Sequence, residues 1–109
     1  MRILITADAT SGAWRHALEL ARPLGDRRHR IAVATLGAPL SASQRAELRQ
    51  MPDVSVYESA FRLPWMPDPW GDFAPAGAWL RAIERSFRPD VVCLNHEGHG
   101  ALPWRAAVV

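Results

Sequence analysis

The first 24 residues constrain the fold more than any other part of the chain. An apolar run at residues 3–5, Ile-Leu-Ile, precedes the small and turn-prone residues 6–12. Beyond this segment the apolar side chains recur every three or four positions, at Trp14, Ala17, Leu18 and Ala21. This change of period predicts a buried strand, a tight loop and an amphipathic helix. A buried strand without alternation is typical of a parallel sheet that helices cover on both faces.

The rest of the chain continues this alternation of strands and helices. Further strands are predicted at residues 29–37, 54–58, 91–95 and 106–109, and further helices at residues 43–51 and 72–87. The order predicts one Rossmann-like α/β domain over residues 1–109, with three α/β/α layers and right-handed crossovers. The expected order of the parallel sheet is 3-2-1-4-5. The expected core includes Ile3, Ile5, Leu18, Val33, Ile83, Val92 and Leu94.

Composition agrees with one domain that has a real core, since the chain has 109 residues and is 49% hydrophobic. A single cysteine, Cys93, excludes an internal disulfide and is predicted to be a small core residue within an apolar strand. No apolar run approaches the roughly 20 residues that span a membrane. The first residues also lack the apolar region of a signal peptide, so we expect a cytoplasmic protein that is not transmembrane.

One dense basic run, at residues 27–30, has two interpretations. It is either a patch for anions or nucleic acid, or a solvated turn after a helix whose dipole favours cations. We favour the turn, because no aromatic residues are interleaved with the arginines and no nucleic-acid motif is present. We therefore expect no nucleic-acid partner.

The candidate ligand-binding residues follow the predicted first and fourth strands. Ligands of open α/β sheets bind outside the carboxyl ends of the strands, where the order of the sheet reverses. The loop at residues 8–12 places Ser11 and Gly12 before a helix N-terminus, which suits an anion or a hydroxyl group. Asp8 is either a base or ribose partner, or a turn residue that bonds local N–H groups. The turn is the favoured interpretation.

The loop after the fourth strand is the densest polar cluster in the sequence. We expect Asn95 and His99 to supply hydrogen bonds to a ligand, with a solvated loop as the alternative. His96 and His99 with Glu97 between them suggest a metal, but no third ligand is visible. The dinucleotide fingerprint GxGxxG is absent. We predict neither a metal nor a cofactor.

Residues 61–73 interleave aromatic residues with three prolines, a density that no regular element tolerates. Trp65 and Trp70 are candidates for an apolar wall against a substrate. Alternatively, these tryptophans fold back onto the core, because exposing so much apolar surface is costly. The second interpretation is slightly favoured.

Several of these segments together resemble the start of GT-B glycosyltransferases of the GT4 type. The matching pieces are RILITAD at residues 2–8, SGAW at 11–14 and ALELAR at 17–22, with LPWM at 63–66 and DPW at 68–70. The family usually has two consecutive glycines in the first loop, where this chain has Ser11 and Gly12. The resemblance is diffuse and extends over essentially the whole chain.

The resemblance implies the acceptor-binding, N-terminal half of such an enzyme, which moves a sugar from a nucleotide-sugar donor. The donor would be held only by a C-terminal half, and the chain stops at Val109. We therefore expect a truncated domain that is not catalytically competent alone, with a small molecule, glycan or lipid as acceptor. The alternative is a free-standing Rossmann-like binding or interaction module without transferase activity. An inert remnant that folds poorly is a third possibility.

Overall fold

The computed structural model describes residues 1–8, 13–27, 29–37, 39–51, 53–59, 70–94, 104 and 106–108. The strands are β1 (Arg2–Asp8), β2 (Arg30–Leu36), β3 (Val54–Glu58), β4 (Val91–Cys93) and β5 (Ala107–Val108). The helices are α1 (Ala13–Asp26), α2 (Ala42–Arg49) and α3 (Trp70–Phe87). Along the described part of the chain, strands and helices alternate as the sequence predicts.

The strands form one sheet in the order β3-β2-β1-β4-β5, and every described pair is parallel. The four strands β1 to β4 confirm the predicted order 3-2-1-4 and the α/β fold. The fifth position holds only two described residues, which pair with Val91 and Val92. Its attachment is reinforced by α3, where Glu84 Oε2 accepts the Ala106 N–H at 3.1 Å.

Alternate residues of the central strands divide between two apolar clusters, one on each face of the sheet. On one face, Ile3, Ile5, Ile31 and Val33 pack with side chains of α1 and α2. On the other face, Leu4, Ala32 and Val92 pack with α3, whose contributions are Leu80, Ile83 and Phe87. Since both faces of β1 and β2 are covered, their sequences are apolar without alternation. The predicted three-layer arrangement is thus confirmed.

The predicted core is confirmed except at one position. Ile3, Ile5, Leu18, Val33, Ile83 and Val92 are buried. Leu94 is only half-buried, although it still packs against the α3 cluster. The difference follows from the length of β4, which ends at Cys93 instead of residue 95.

Other predicted boundaries were also wrong, notably the end of β1 and the start of α3. Residues 6–8, expected to begin a loop, continue β1 because Asp8 and the two residues before it pair with β2 as far as Leu36. The third helix begins at Trp70, with Pro75 at its sixth position and not at its start. The sequence favoured a start near Pro75 because proline lacks the N–H that a helix interior uses.

At the amino end of the sheet, β1 and β4 are joined by a pair of hydrogen bonds. The Arg2 N–H donates to Asp90 Oδ2 at 2.8 Å, and the Asp90 N–H donates to the Arg2 carbonyl at 2.7 Å. These bonds fix the start of β4 beside the start of β1. In the described part of the chain, no helix is both long and apolar enough to cross a membrane.

Two glycines provide a matched test of this backbone. Gly25 lies within α1, and a Cβ added there would meet no atom within 4 Å. We expect Gly25→Ala to raise the free energy of unfolding by about 0.5–1 kcal/mol, because alanine loses less backbone entropy in a helix. Denaturant unfolding followed by circular dichroism measures the change.

Gly37 gives the opposite expectation, because its φ of 94° is a conformation that L residues rarely adopt. Gly37→Ala should lower the free energy of unfolding by about 1–2 kcal/mol. Equal effects of the two alanine substitutions would contradict the backbone geometry at one of the sites.

Candidate functional site

The carboxyl ends of the strands lie together on one side of the sheet. We call this side, where the strands end, the crevice edge. There β1 ends at Asp8, whose Cα partner is Leu36 of β2, while the last residue of β4, Cys93, pairs with Ile5. β1 therefore continues three residues, about 10 Å, beyond its last pair with β4. The direct pairing of β1 with β4 places these two strands side by side, as the predicted order requires.

The predicted binding residues fall mostly outside the described part of the chain. Asp8 is the last residue of β1, and Trp70 is the first residue of α3. The other predicted residues lie outside the described ranges: Ser11, Gly12, Trp65, Asn95 and His99. Their joint contact with a ligand stays a prediction.

The described residues of this region offer neither a metal site nor an activated thiol. No three His, Cys, Asp or Glu side chains among the described residues are arranged to hold a metal ion, and His96, Glu97 and His99 lie beyond those ranges. Cys93 is half-buried against the α1 and α2 face, and burial raises the pKa of its thiol. A raised pKa disfavours the thiolate, so Cys93 is poorly suited to act as a nucleophile.

Two buried polar groups near the crevice edge have no hydrogen-bond partner among the described residues. They are the Trp14 indole Nε1, in the first turn of α1, and the Thr35 hydroxyl, one residue before the end of β2. The two side chains are 7% and 0% exposed, so water does not readily satisfy them. Buried polar groups are nearly always paired, and unpaired ones are costly. The sequence gives one signal for Thr35, a hydroxyl within an otherwise apolar strand.

The same strand end is fastened to β3. The Thr35 carbonyl accepts the Ser59 N–H at 3.1 Å and the Ser59 hydroxyl at 2.7 Å. Beyond β2, Glu58 Oε1 accepts the Leu40 N–H at 3.0 Å and Arg45 Nη2 at 2.7 Å. The end of β3 thereby holds both the segment that follows β2 and the first turns of α2.

Helix α2 is fixed at its start by reciprocal hydrogen bonds. The Gln44 N–H donates to Ser41 Oγ at 3.2 Å, and the Ser41 N–H donates to Gln44 Oε1 at 2.9 Å. This capping box satisfies N–H groups that a helix start leaves unpaired. α2 runs from Ala42 to Arg49, one residue earlier at its start than the predicted helix, and of its side chains only Leu48 is buried.

Comparison with known proteins now assigns the fold to a family. Residues 10–109 match the family described as Glycosyltransferase Family 4. The chain belongs to this family. The match extends over more than half of the sequence and agrees with the resemblance in residues 2–22. No curated protein sequence matches the chain.

A solved structure agrees with the family assignment at the level of the fold. It is Phytolacca americana UGT2, described as complexed with UDP-2fluoro-glucose and pterostilbene. The TM-score is 0.64 with 16% sequence identity, over 85% of this chain and 25% of the plant chain. At this identity the likeness shows the fold alone. The present family 4 domain spans about a quarter of the length of that structure.

The ion pair at the crevice edge predicts a pH dependence of stability. The hydrogen bond from Arg45, and then that from the Leu40 N–H, hold the pKa of Glu58 below its usual value. A lowered folded-state pKa gives stability above the unfolded pKa of about 4.3, which is lost as the pH falls through the folded pKa. We expect Glu58→Gln to lower the melting temperature at neutral pH, and the difference to vanish toward about pH 3. Thermal unfolding at several pH values measures this.

Glu19→Gln serves as the control, because Glu19 is an exposed carboxylate on α1. This variant should keep the pH dependence of the wild type. If the Glu58→Gln and wild-type chains have the same melting temperature throughout, the ion pair does not stabilise the crevice edge.

Proposed function

We propose that this family 4 domain is the acceptor-binding side of a GT-B glycosyltransferase, and that an acceptor lies against the crevice edge. The observation that carries the proposal is the parallel pairing of β1 with β4 in a sheet of order 3-2-1-4. In sheets of this kind, the order reverses beside the first strand, and the crevice at that point is where ligands bind. Family membership supplies the reaction class.

Unsatisfied polar groups support a polar ligand at this edge. Helix α1 begins at Ala13, shortly after the carboxyl end of β1. The N–H groups in the first turn of a helix have no partners within the helix. These groups favour an anion or a hydroxyl oxygen. The buried indole N–H of Trp14 and the hydroxyl of Thr35 are further polar groups without partners in the part of the chain that the structure describes. A hydroxylated acceptor offers the complementary chemistry to such groups.

We further propose that these residues do not transfer sugar by themselves. In the GT-B arrangement that the sequence resembles, a second half binds the nucleotide sugar. The present domain corresponds to about a quarter of the plant structure described with a UDP-sugar analogue. The donor sugar would therefore require a further domain. A cytoplasmic location and the lack of a nucleic-acid partner stay predictions.

Titration followed by NMR tests the proposed site. Candidate acceptors, and separately UDP-glucose, are added to the labelled chain, with mass spectrometry to detect any glycosylated product. We expect an acceptor to shift resonances near Asp8, Trp14 and Leu94, without product. Shifts confined to the opposite edge of the sheet would refute the acceptor site, and product formation would refute the lack of turnover.

Gly12→Val gives a sharper version of this test. A β-branched side chain in the loop after β1 should fill space that a ligand needs, so acceptor affinity should fall at least about tenfold. Gly25→Ala is the matched control, because Gly25 lies within α1 and its surroundings are open. Unchanged affinity in a folded Gly12→Val chain would count against ligand contact with this loop.

A further inference from the structure

The edge of the sheet opposite the crevice contains a polar cavity of about 450 Å³. Its walls come from the starts of β1, β2 and β3 and from the carboxyl end of α3. Its lining includes Arg2, Arg30, Asp53, Ser55, Tyr57 and Phe87. A volume in this range suits a small molecule. The cavity lies at the amino ends of the strands and is separate from the proposed acceptor site.

The cavity results from how the third helix covers its face of the sheet. Of the three helices, α3 packs on this face, against Leu4 and Val92 of the central strands. Farther toward the edge, Ala32 of β2 is paired in register with Ser55 of β3. Ala32 is fully buried in the α3 cluster, whereas Ser55 lines the cavity.

Two arginines lie side by side at the mouth of this space. Arg2 and Arg30 are Cα partners in the parallel pairing of β1 with β2. Arg2 lies two residues before Leu4, and Arg30 lies two residues before Ala32. Since residues two apart in a strand share a face, both arginines belong to the α3 face of the sheet. Neighbouring strands are about 4.8 Å apart, and like charges directly opposite each other are destabilising. The pair therefore attracts an anion.

No carboxylate in the described part of the chain forms an ion pair with the guanidinium group of Arg2 or Arg30, although Asp90 Oδ2 accepts the main-chain N–H of Arg2 at 2.8 Å. The ion pair found there is Arg45 with Glu58, at the other edge of the sheet. Asp53 lines the cavity but forms no ion pair with Arg2 or Arg30. The Arg2 Nε is buried and has no hydrogen-bond partner among the described residues. Both guanidinium groups are thus unpaired within the part of the chain that the structure describes.

Helix α3 explains part of this arrangement but not all of it. The carboxyl end of a helix carries about half a negative charge, which favours a nearby cation. Arg2 occupies such a place, with its Cζ 5.0 Å from the centre of the Phe87 ring at the end of α3. The partial charge at the helix end offsets the charge of one guanidinium only in part. Arg30 forms no ion pair among the described residues. Stacking on Phe87 also holds the Arg2 side chain in place before any ligand arrives.

We propose that this cavity binds a small phosphate monoester. Guanidinium groups match the oxygens of phosphate in two-pronged hydrogen bonds. His29 and the hydroxyls of Ser55, Tyr57 and Ser86 also line the cavity and can donate to further oxygens. The carboxylate of Asp53 accepts a hydrogen bond from a hydroxyl on the organic part of the ester. His29 and Arg30, the last two residues of the basic run, then contribute to a binding site.

Calorimetric titration of the chain at low salt, together with NMR, tests the proposal. The probes are glycerol 3-phosphate, inorganic phosphate and glycerol. We expect both phosphates to bind and to shift resonances near Arg2, Arg30 and Ser86, whereas glycerol does not bind. Glycerol 3-phosphate should bind more tightly than inorganic phosphate, and equal affinity would overturn the assignment of a monoester, because it would leave Asp53 without a role in binding. Binding of glycerol as tight as that of its phosphate would overturn the proposal, and so would the absence of any phosphate binding.

Arg30→Gln is the decisive variant, and Arg81→Gln, an exposed arginine on α3, is its charge-matched control. Arg30→Gln removes a hydrogen bond to a charged group and should weaken phosphate binding about tenfold or more, whereas Arg81→Gln should not weaken it. Tyr57→Phe removes one hydroxyl and should weaken phosphate binding about two- to tenfold. Circular dichroism confirms that the variants are folded. Wild-type affinity in folded Arg30→Gln and Tyr57→Phe chains would refute the site.

Discussion

The whole structure depends on the burial of β1 between two parallel neighbours. β1 pairs with β2 along seven residues and with β4 along three. Both faces of this central strand are covered by helices, so its apolar side chains can be buried alternately above and below the sheet. The positions of all three helices follow, because each one connects strands that must lie parallel in the same sheet.

This arrangement separates the two edges of the sheet chemically. At the carboxyl ends, the main chain is fastened by neutral and paired groups, including the hydrogen bonds of Glu58 with Arg45 and of Ser59 with Thr35. At the amino ends, the register of the sheet brings Arg2 and Arg30 together, and neither side chain forms an ion pair within the described residues. A parallel sheet creates both sides at once, since every strand starts at one and ends at the other.

The sequence predicted what depends on local patterns. The change of period after residue 5 predicted β1 and α1, and the alternation from Val54 to Glu58 predicted an edge strand. Strand ends were less predictable, because pairing with β2 keeps the small residues up to Asp8 extended. The cavity at the amino ends could not be predicted from spacing. Arg2 and Arg30 become neighbours only through the register of the sheet.

The hydrogen bonds between Arg2 and Asp90 have a consequence for the order of folding. They join residues 88 positions apart, whereas β1 and β2 are joined by a connection roughly a third as long. Closing the longer loop costs about 1 kcal/mol more in chain entropy. We therefore infer that β1, α1 and β2 assemble first and that β4 joins them late, which pulsed hydrogen exchange would show as delayed protection of Val92. The central strand would then be left with an open side during folding, and its unpaired main chain would be available to other chains until β4 arrives.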